Sequence, residues 1–320
     1  MDSEIQRELE RRLKLWDDLK AAGGPDGVSP KLVKDLRIHR GQQGIFRDLE
    51  FMSRVIGGPA SAAVGILHTG SAYADDLSEE GVIYHYPDTG RGDRDANEVA
   101  SLKACRDLNL PLFVVIKPTP NAATRNVRLG WAQEYDDESQ EILIAFRDSV
   151  PPESSASATG QGDETPFSLR IERPTKYSRA KARPNQWRFR FDVLRRYGSS
   201  CAVCSIRHPE LLQAAHLCPV EDGGTDDPRN GLVFCLTHHR AFDLGLFRID
   251  PETLRLCVTV DGPGLYDLGV MQQSITHIRH FPHREALEWT WLRRHNGNSN
   301  ENMPGDAKEG GKPPEEKGTH

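Results

Sequence analysis

The sequence predicts an α+β protein of two compact units joined by a linker: a strongly curved sheet or small β-barrel, then a smaller unit stapled by a metal. Three observations carry this expectation. Between about 47 and 148, five short segments rich in β-branched and aromatic residues surround one helical stretch. The run from Ser149 to Gly160 is Ser, Pro, Ala and Glu without an apolar period, and it cannot bury a core. Beyond it, Cys201-x2-Cys204 and Cys235-x2-His238 repeat one ligand spacing.

The elements follow in order. A chain of 320 residues suits two domains of ordinary size. Residues 3–22 read as an amphipathic helix, with Ile5, Leu9, Leu13, Trp16 and Leu19 on one face and Gly23-Gly24-Pro25 as the stop. Strands are expected at 64–67, 81–86, 111–117, 126–135 and 141–146, and a helix at 95–108. From Arg173 to Arg196 nine basic residues face one acid, Asp192. A closing helix runs through Glu285, Leu287, Trp289 and Leu292. The organisation expected is a helical segment at 1–44, a sheet unit at 45–148, a linker at 149–184 that turns basic, a second unit at 185–295 and a disordered tail at 296–320.

Composition narrows the function classes. The chain is 37% hydrophobic and 28% charged, and it has no apolar run long enough to span a bilayer. Met1-Asp2-Ser3-Glu4 is acidic and lacks a signal-like apolar region, so a cytoplasmic setting is expected. The net charge of −6 excludes an overall basic coat but not a local basic patch. Six cysteines in such a chain point to metal binding or packing rather than a disulfide framework. Cys201, Cys204, Cys235 and His238 make a Cys3His set suited to tetrahedral Zn2+, and Cys105, Cys218 and Cys257 are read as packing residues.

Inside the zinc loop lies a second constellation: Ala214-Ala215-His216, Gly223-Gly224, Asn230-Gly231-Leu232, and His239 beside the zinc ligand. His216 precedes Asn230 by 14 residues, and His239 follows it by 9. Over about 186–255 this text resembles the HNH nuclease motif, in the branch found in McrA-type restriction nucleases. The resemblance implies a ββα-metal unit that hydrolyses phosphodiesters with Mg2+ or Mn2+. It makes His216 the general base, His239 a ligand of the catalytic ion, and Asn230 the residue that fixes the loop and orients His216. Histidine suits the base role near neutral pH, and a divalent cation stabilises the charge that develops on phosphate. Many HNH enzymes carry an acid where this chain has Ala215, so the second protein ligand is open among Asp222, Asp226, Asp227 and Asp243.

A second resemblance covers about 45–148. Gly65 to Asp76, with its Tyr73-Ala74-Asp75-Asp76 turn, then Gly81 to Tyr86 and Thr89-Gly90, are similar to the SRA (YDG) domain. That family is a PUA-like curved β-barrel that flips 5-methylcytosine out of the duplex. The resemblance implies that Tyr73 and Tyr86 sandwich the base and that Asp76 accepts from its exocyclic amine. A flipped base needs such stacking and edge contacts. The basic stretch 173–196 is the expected phosphate-contacting surface, through Arg183, Arg188 and Arg190.

Together these readings describe a modification-dependent (type IV) restriction endonuclease. It would act on double-stranded DNA carrying 5-methylcytosine or 5-hydroxymethylcytosine, with structural Zn2+ and catalytic Mg2+ or Mn2+. A single site cuts one strand, so a homodimer is expected, with the 3–22 helix as a candidate contact or as part of its own domain. Two alternatives stand beside this one: an HNH enzyme reading another mark or an unmodified sequence, and a non-catalytic methylated-DNA-binding protein, which Ala215 would favour.

Overall fold

The computed structural model describes residues 3–40, 44–48, 61–69, 76–119, 121–151, 165–171, 186–258 and 262–293. Helix α1 (Ser3–Ala21) is followed by the short α2 (Pro30–Asp35), capped by the Ser29 side chain. The strands are then β1 (Ile45–Phe46), β2 (Gly65–His68) and β3 (Gly81–His85). Helix α3 (Gly92–Asp107) leads to β4 (Leu112–Ile116), β5 (Asn126–Asp136) and β6 (Glu141–Phe146).

These strands form one six-stranded sheet in the order β1-β2-β4-β5-β6-β3. Strands β2 and β4 are parallel, and the other pairs are antiparallel. Strand β4 lies inside the sheet and all five of its residues are buried, which explains its unbroken apolar run. Leu112, Val114 and Ile116 pack on one face with Leu102 and Cys105 of α3. Phe113 and Val115 pack on the other with Val33 and Ile38. Among the described residues the sheet is open, with β1 and β3 at its edges, and no closed barrel is seen there.

Helix α1 completes this unit. Leu9 joins one core, and Trp16 and Leu19 join the other. Its apolar face is thus occupied within its own chain rather than presented for a dimer. Arg12, fully buried, donates to the carbonyls of Ala63 (2.7 Å) and Pro111 (2.6 Å) and pairs with Glu8 at 2.6 Å.

The second half begins with α4 (Gln186–Tyr197). Strands β7 (Leu212–His216) and β8 (Gly231–Cys235) pair antiparallel, with His216 opposite Gly231, and α5 (Leu236–Asp243) follows directly. A hairpin of β9 (Phe247–Ile249) and β10 (Leu256–Val258) and the closing helix α6 (Arg284–Arg293) finish the unit. Phe167 and Leu169, from within the expected linker, pack on this second core.

Helix α4 is buried on two sides. Trp187 and Phe191 pack on Ile83, Leu143 and Ala145 of the sheet, while Phe189, Val193, Leu194 and Tyr197 enter the second core. Several of its basic side chains meet partners within the chain. Arg190 is buried, with Nη1 3.2 Å from Asp76 Oδ1 and 3.3 Å from Glu141 Oε1. Arg188 donates to Gln133 Oε1 at 2.6 Å, and Arg195 pairs with Glu134. Acceptors of the N-terminal unit thus engage Arg188 and Arg190, two of the three residues assigned to phosphates. Arg183 and residues 294–320 lie outside the described residues.

Candidate active site and metal centre

The turn after α4 supplies Cys201 and Cys204, the end of β8 supplies Cys235, and the first turn of α5 supplies His238. Their four ligand atoms lie within 4.8 Å of one another. Cys204 Sγ is 3.9 Å from Cys235 Sγ, and His238 Nδ1 is 3.6 Å from Cys201 Sγ and 3.1 Å from Cys235 Sγ. Tetrahedral Zn2+ with Zn–S bonds of about 2.3 Å requires edges of about 3.8 Å, so the donor set and its spacing fit that ion. His238 Nε2 donates to the Leu268 carbonyl at 3.1 Å, which leaves Nδ1 aimed at the sulfurs. Burial pushes the Cys201 thiol up to about 12, and a bound cation would offset that cost by stabilising the thiolate.

The ββα frame then places the second constellation. His216 ends β7, and its imidazole lies flat on the Phe189 ring of α4, with centroids 3.6 Å apart. Gly231 permits this approach: a Cβ there would meet Phe189 and Val193 atoms at 2.7 Å. His216 Nε2 lies 3.2 Å from Asp226 Oδ1. A carboxylate only accepts, so Nε2 carries the proton and Nδ1 is left as the basic nitrogen.

Asn230 has no exposed surface and bonds only to backbone. Its Oδ1 accepts from Cys218 N at 2.8 Å, and its Nδ2 donates to the Cys218 and Thr225 carbonyls at 2.9 Å each. It pins the loop between His216 and β8, and none of these bonds reaches His216. Gly224 belongs to the same tight turn, where a Cβ would fall 1.9 Å from the Cys218 carbonyl oxygen.

His239, on α5, shares with His216 a cleft of about 350 Å3, whose walls also include Arg190, Gln213, Glu221 and Asp243. His239 Nδ1 is 2.8 Å from Gln213 Oε1, and its Nε2 is 3.6 Å from Asp243 Oδ2. The four candidate acids now separate. Asp227 is bound to Arg229 at 2.7 Å, Asp222 pairs with Arg293, Asp226 serves His216, and Asp243 faces the cleft beside His239. Ala215 is fully buried in the second core. The sequence reading missed Phe189, Gln213 and Glu221; of these, only Phe189 was signalled, by the apolar spacing of α4.

Of the residues expected to read a base, Asp76 and Tyr86 fall among the described residues. Asp76 has no exposed surface, and its carboxylate lies against His85 Nε2 at 2.8 Å and Arg190 at 3.2 Å, so it is not open to a flipped base. The Tyr86 hydroxyl donates to Asp137 at 2.8 Å on the surface, and the Lys103 ammonium sits 5.5 Å above its ring. Tyr73 lies outside the described residues.

Residues 201–250 match the family model described as HNH endonuclease. No curated protein matches the chain. Among solved structures the chain is similar to one titled "Modification dependent TagI restriction endonuclease". The two share 19% identity over 85% of this chain and 93% of that one, with a TM-score of 0.33, a superposition too loose to bear on the fold. The ββα frame, the Cys3His staple and the paired cleft histidines all fall within the matched segment, so residues 201–250 carry an HNH endonuclease domain.

Proposed function

We propose that this endonuclease hydrolyses DNA phosphodiesters at the His216–His239 cleft with a divalent cation. The observation that carries the reading is the convergence of His216, His239 and Asp243 on one cleft of the ββα frame. His239 Nε2 and an Asp243 oxygen would hold Mg2+ or Mn2+, whose positive charge would stabilise the negative charge developing on the phosphate. His216 Nδ1 takes a proton from water as the water oxygen bonds to phosphorus and the P–O3′ bond breaks, and the departing O3′ takes a proton from solvent. Asp226, on the opposite nitrogen, steadies the imidazolium that results. Zn2+ at Cys201, Cys204, Cys235 and His238 is structural, because four protein ligands leave it no open position.

We propose further that cleavage depends on modified cytosine, 5-methylcytosine or 5-hydroxymethylcytosine, read by the N-terminal unit. The likeness of residues 65–86 to SRA domains supports this, with Tyr73 and Tyr86 as the stacking residues. Asp76 is assigned instead to the junction with α4. A homodimer would supply the second site needed for a double-strand cut.

Plasmids matched in sequence but differing in cytosine methylation, incubated with Mn2+, test both parts. Cleavage of the methylated plasmid alone is the expected result. Equal cleavage of both leaves the nuclease and removes modification dependence, and cleavage of neither, with zinc-loaded folded protein, contradicts the cleft assignment. Stacking on a base is worth about 1–3 kcal/mol, so Tyr86→Ala should weaken binding to modified duplex by about tenfold while sparing unmodified duplex.

A further inference from the structure

His238 and His239 are neighbours on α5, yet they are held by opposite ring nitrogens. His238 donates through Nε2 to the Leu268 carbonyl and turns Nδ1 toward the three sulfurs. His239 meets the Gln213 Oε1 with Nδ1 at 2.8 Å and turns Nε2 toward Asp243 and the cleft. An amide oxygen only accepts, so Nδ1 bears the proton and the lone pair is left on Nε2.

We infer that Gln213 is a positioning residue for the catalytic cation, fixing the tautomer and ring orientation of His239. The inference rests on the reading of His239 as a ligand. Gln213 reaches this position from β7, three residues before His216, so one strand carries both the proposed base and the orienter of the proposed metal ligand. With Ala215 buried in the core, that position contributes nothing to the cation site. A site with few protein ligands depends on each being preset, and removing an outer partner of a ligating histidine typically weakens metal binding 10–100-fold.

The test is Mn2+ binding to the full-length, zinc-loaded protein without DNA, by calorimetry, for the parent, Gln213→Leu, Gln213→Glu and His239→Ala. The parent should bind one Mn2+ per chain, and Gln213→Leu should bind it about 10–100-fold more weakly. Gln213→Glu, which keeps only the acceptor, should stay within a few-fold of the parent. Zinc content and the melting temperature should not move. In plasmid cleavage, Gln213→Leu should need correspondingly more Mn2+ and recover most of its rate at saturation. Parent-like Mn2+ affinity in Gln213→Leu, or equal weakening in Gln213→Glu, overturns the inference while leaving the cleft reading intact. A parent that binds no Mn2+, or a His239→Ala protein that binds it normally, overturns the reading of His239 and the inference with it.

Discussion

The Phe189 ring and the His216 imidazole are stacked with their planes 9° from parallel and their centroids 3.6 Å apart. Phe189 sits on α4, whose Trp187 and Phe191 are seated on the N-terminal sheet. The proposed base is therefore held by a helix that both units share. Aromatic pairs contribute about 0.5–1.5 kcal/mol beyond their buried area. Phe189→Leu keeps an apolar side chain and removes the flat platform. It should slow cleavage about tenfold with the Mn2+ requirement unchanged, as measured by initial rates across a Mn2+ series. An unchanged rate would show that His216 needs no such seat.

Arg190 separates a structural role from a DNA-contacting one. Its Nη1 lies within 3.3 Å of both Asp76 and Glu141, and all three side chains are buried. Removing one member of a buried ionic cluster costs about 3–5 kcal/mol, because charges are left without a partner. Arg190→Met should lose stability on that order in urea unfolding, and adding Glu141→Gln should recover part of it. Unchanged stability with weakened DNA affinity would restore the phosphate-contact assignment.

Much of the fold was legible in the sequence. The α1 face, the borders of β5 and β6, and the strand–loop–strand–helix around His216 all follow from apolar period and motif spacing. The strand order and the parallel β2–β4 pair do not, because an apolar run marks a buried strand without naming its neighbour. The partners of the basic residues of α4 are hidden for a related reason. Arg188, Arg190 and Arg195 find Gln133, Glu141 and Glu134 between 49 and 61 residues upstream, and no local pattern links them. In the site, Asp243 carried a usable signal: four residues after His239, it shares that residue's helix face. Gln213 carried none, since an amide on a strand has no spacing that marks it as a histidine's partner.

The zinc centre makes a prediction about folding. Cys204→Ala removes one of the four clustered side chains proposed to hold zinc, which join the turn after α4 to β8 and α5. Protein prepared without added metal should carry close to one zinc per chain, and the variant should carry little and melt at a clearly lower temperature. Retention of both zinc and the parent melting curve would exclude Cys204 as a ligand.

Asp192 gives a pH-dependent stability. Burial pushes its carboxyl from the ordinary 3.8 up to about 6, against the attraction of Arg188 and Arg195. The folded chain thus holds this proton more tightly than the unfolded one, and stability is lost as pH rises from about 4 to about 6. The loss is on the order of 2–3 kcal/mol, at about 1.4 kcal/mol per unit. Asp192→Asn should therefore be more stable than the parent above pH 6 and no different below pH 4, by urea unfolding at a series of pH values. A benefit independent of pH would contradict the assignment.

The most direct measurement is cleavage of methylated plasmid with Mn2+ by the parent and by His216→Ala, with zinc content, melting curve and DNA affinity measured on the same preparations. Loss of a general base costs about 10²- to 10⁴-fold in rate. The expected result is a parent that cuts and a variant that folds, keeps its zinc, binds DNA and cuts at least 100-fold more slowly. A His216→Ala protein that cuts at the parental rate would place the chemistry outside this cleft.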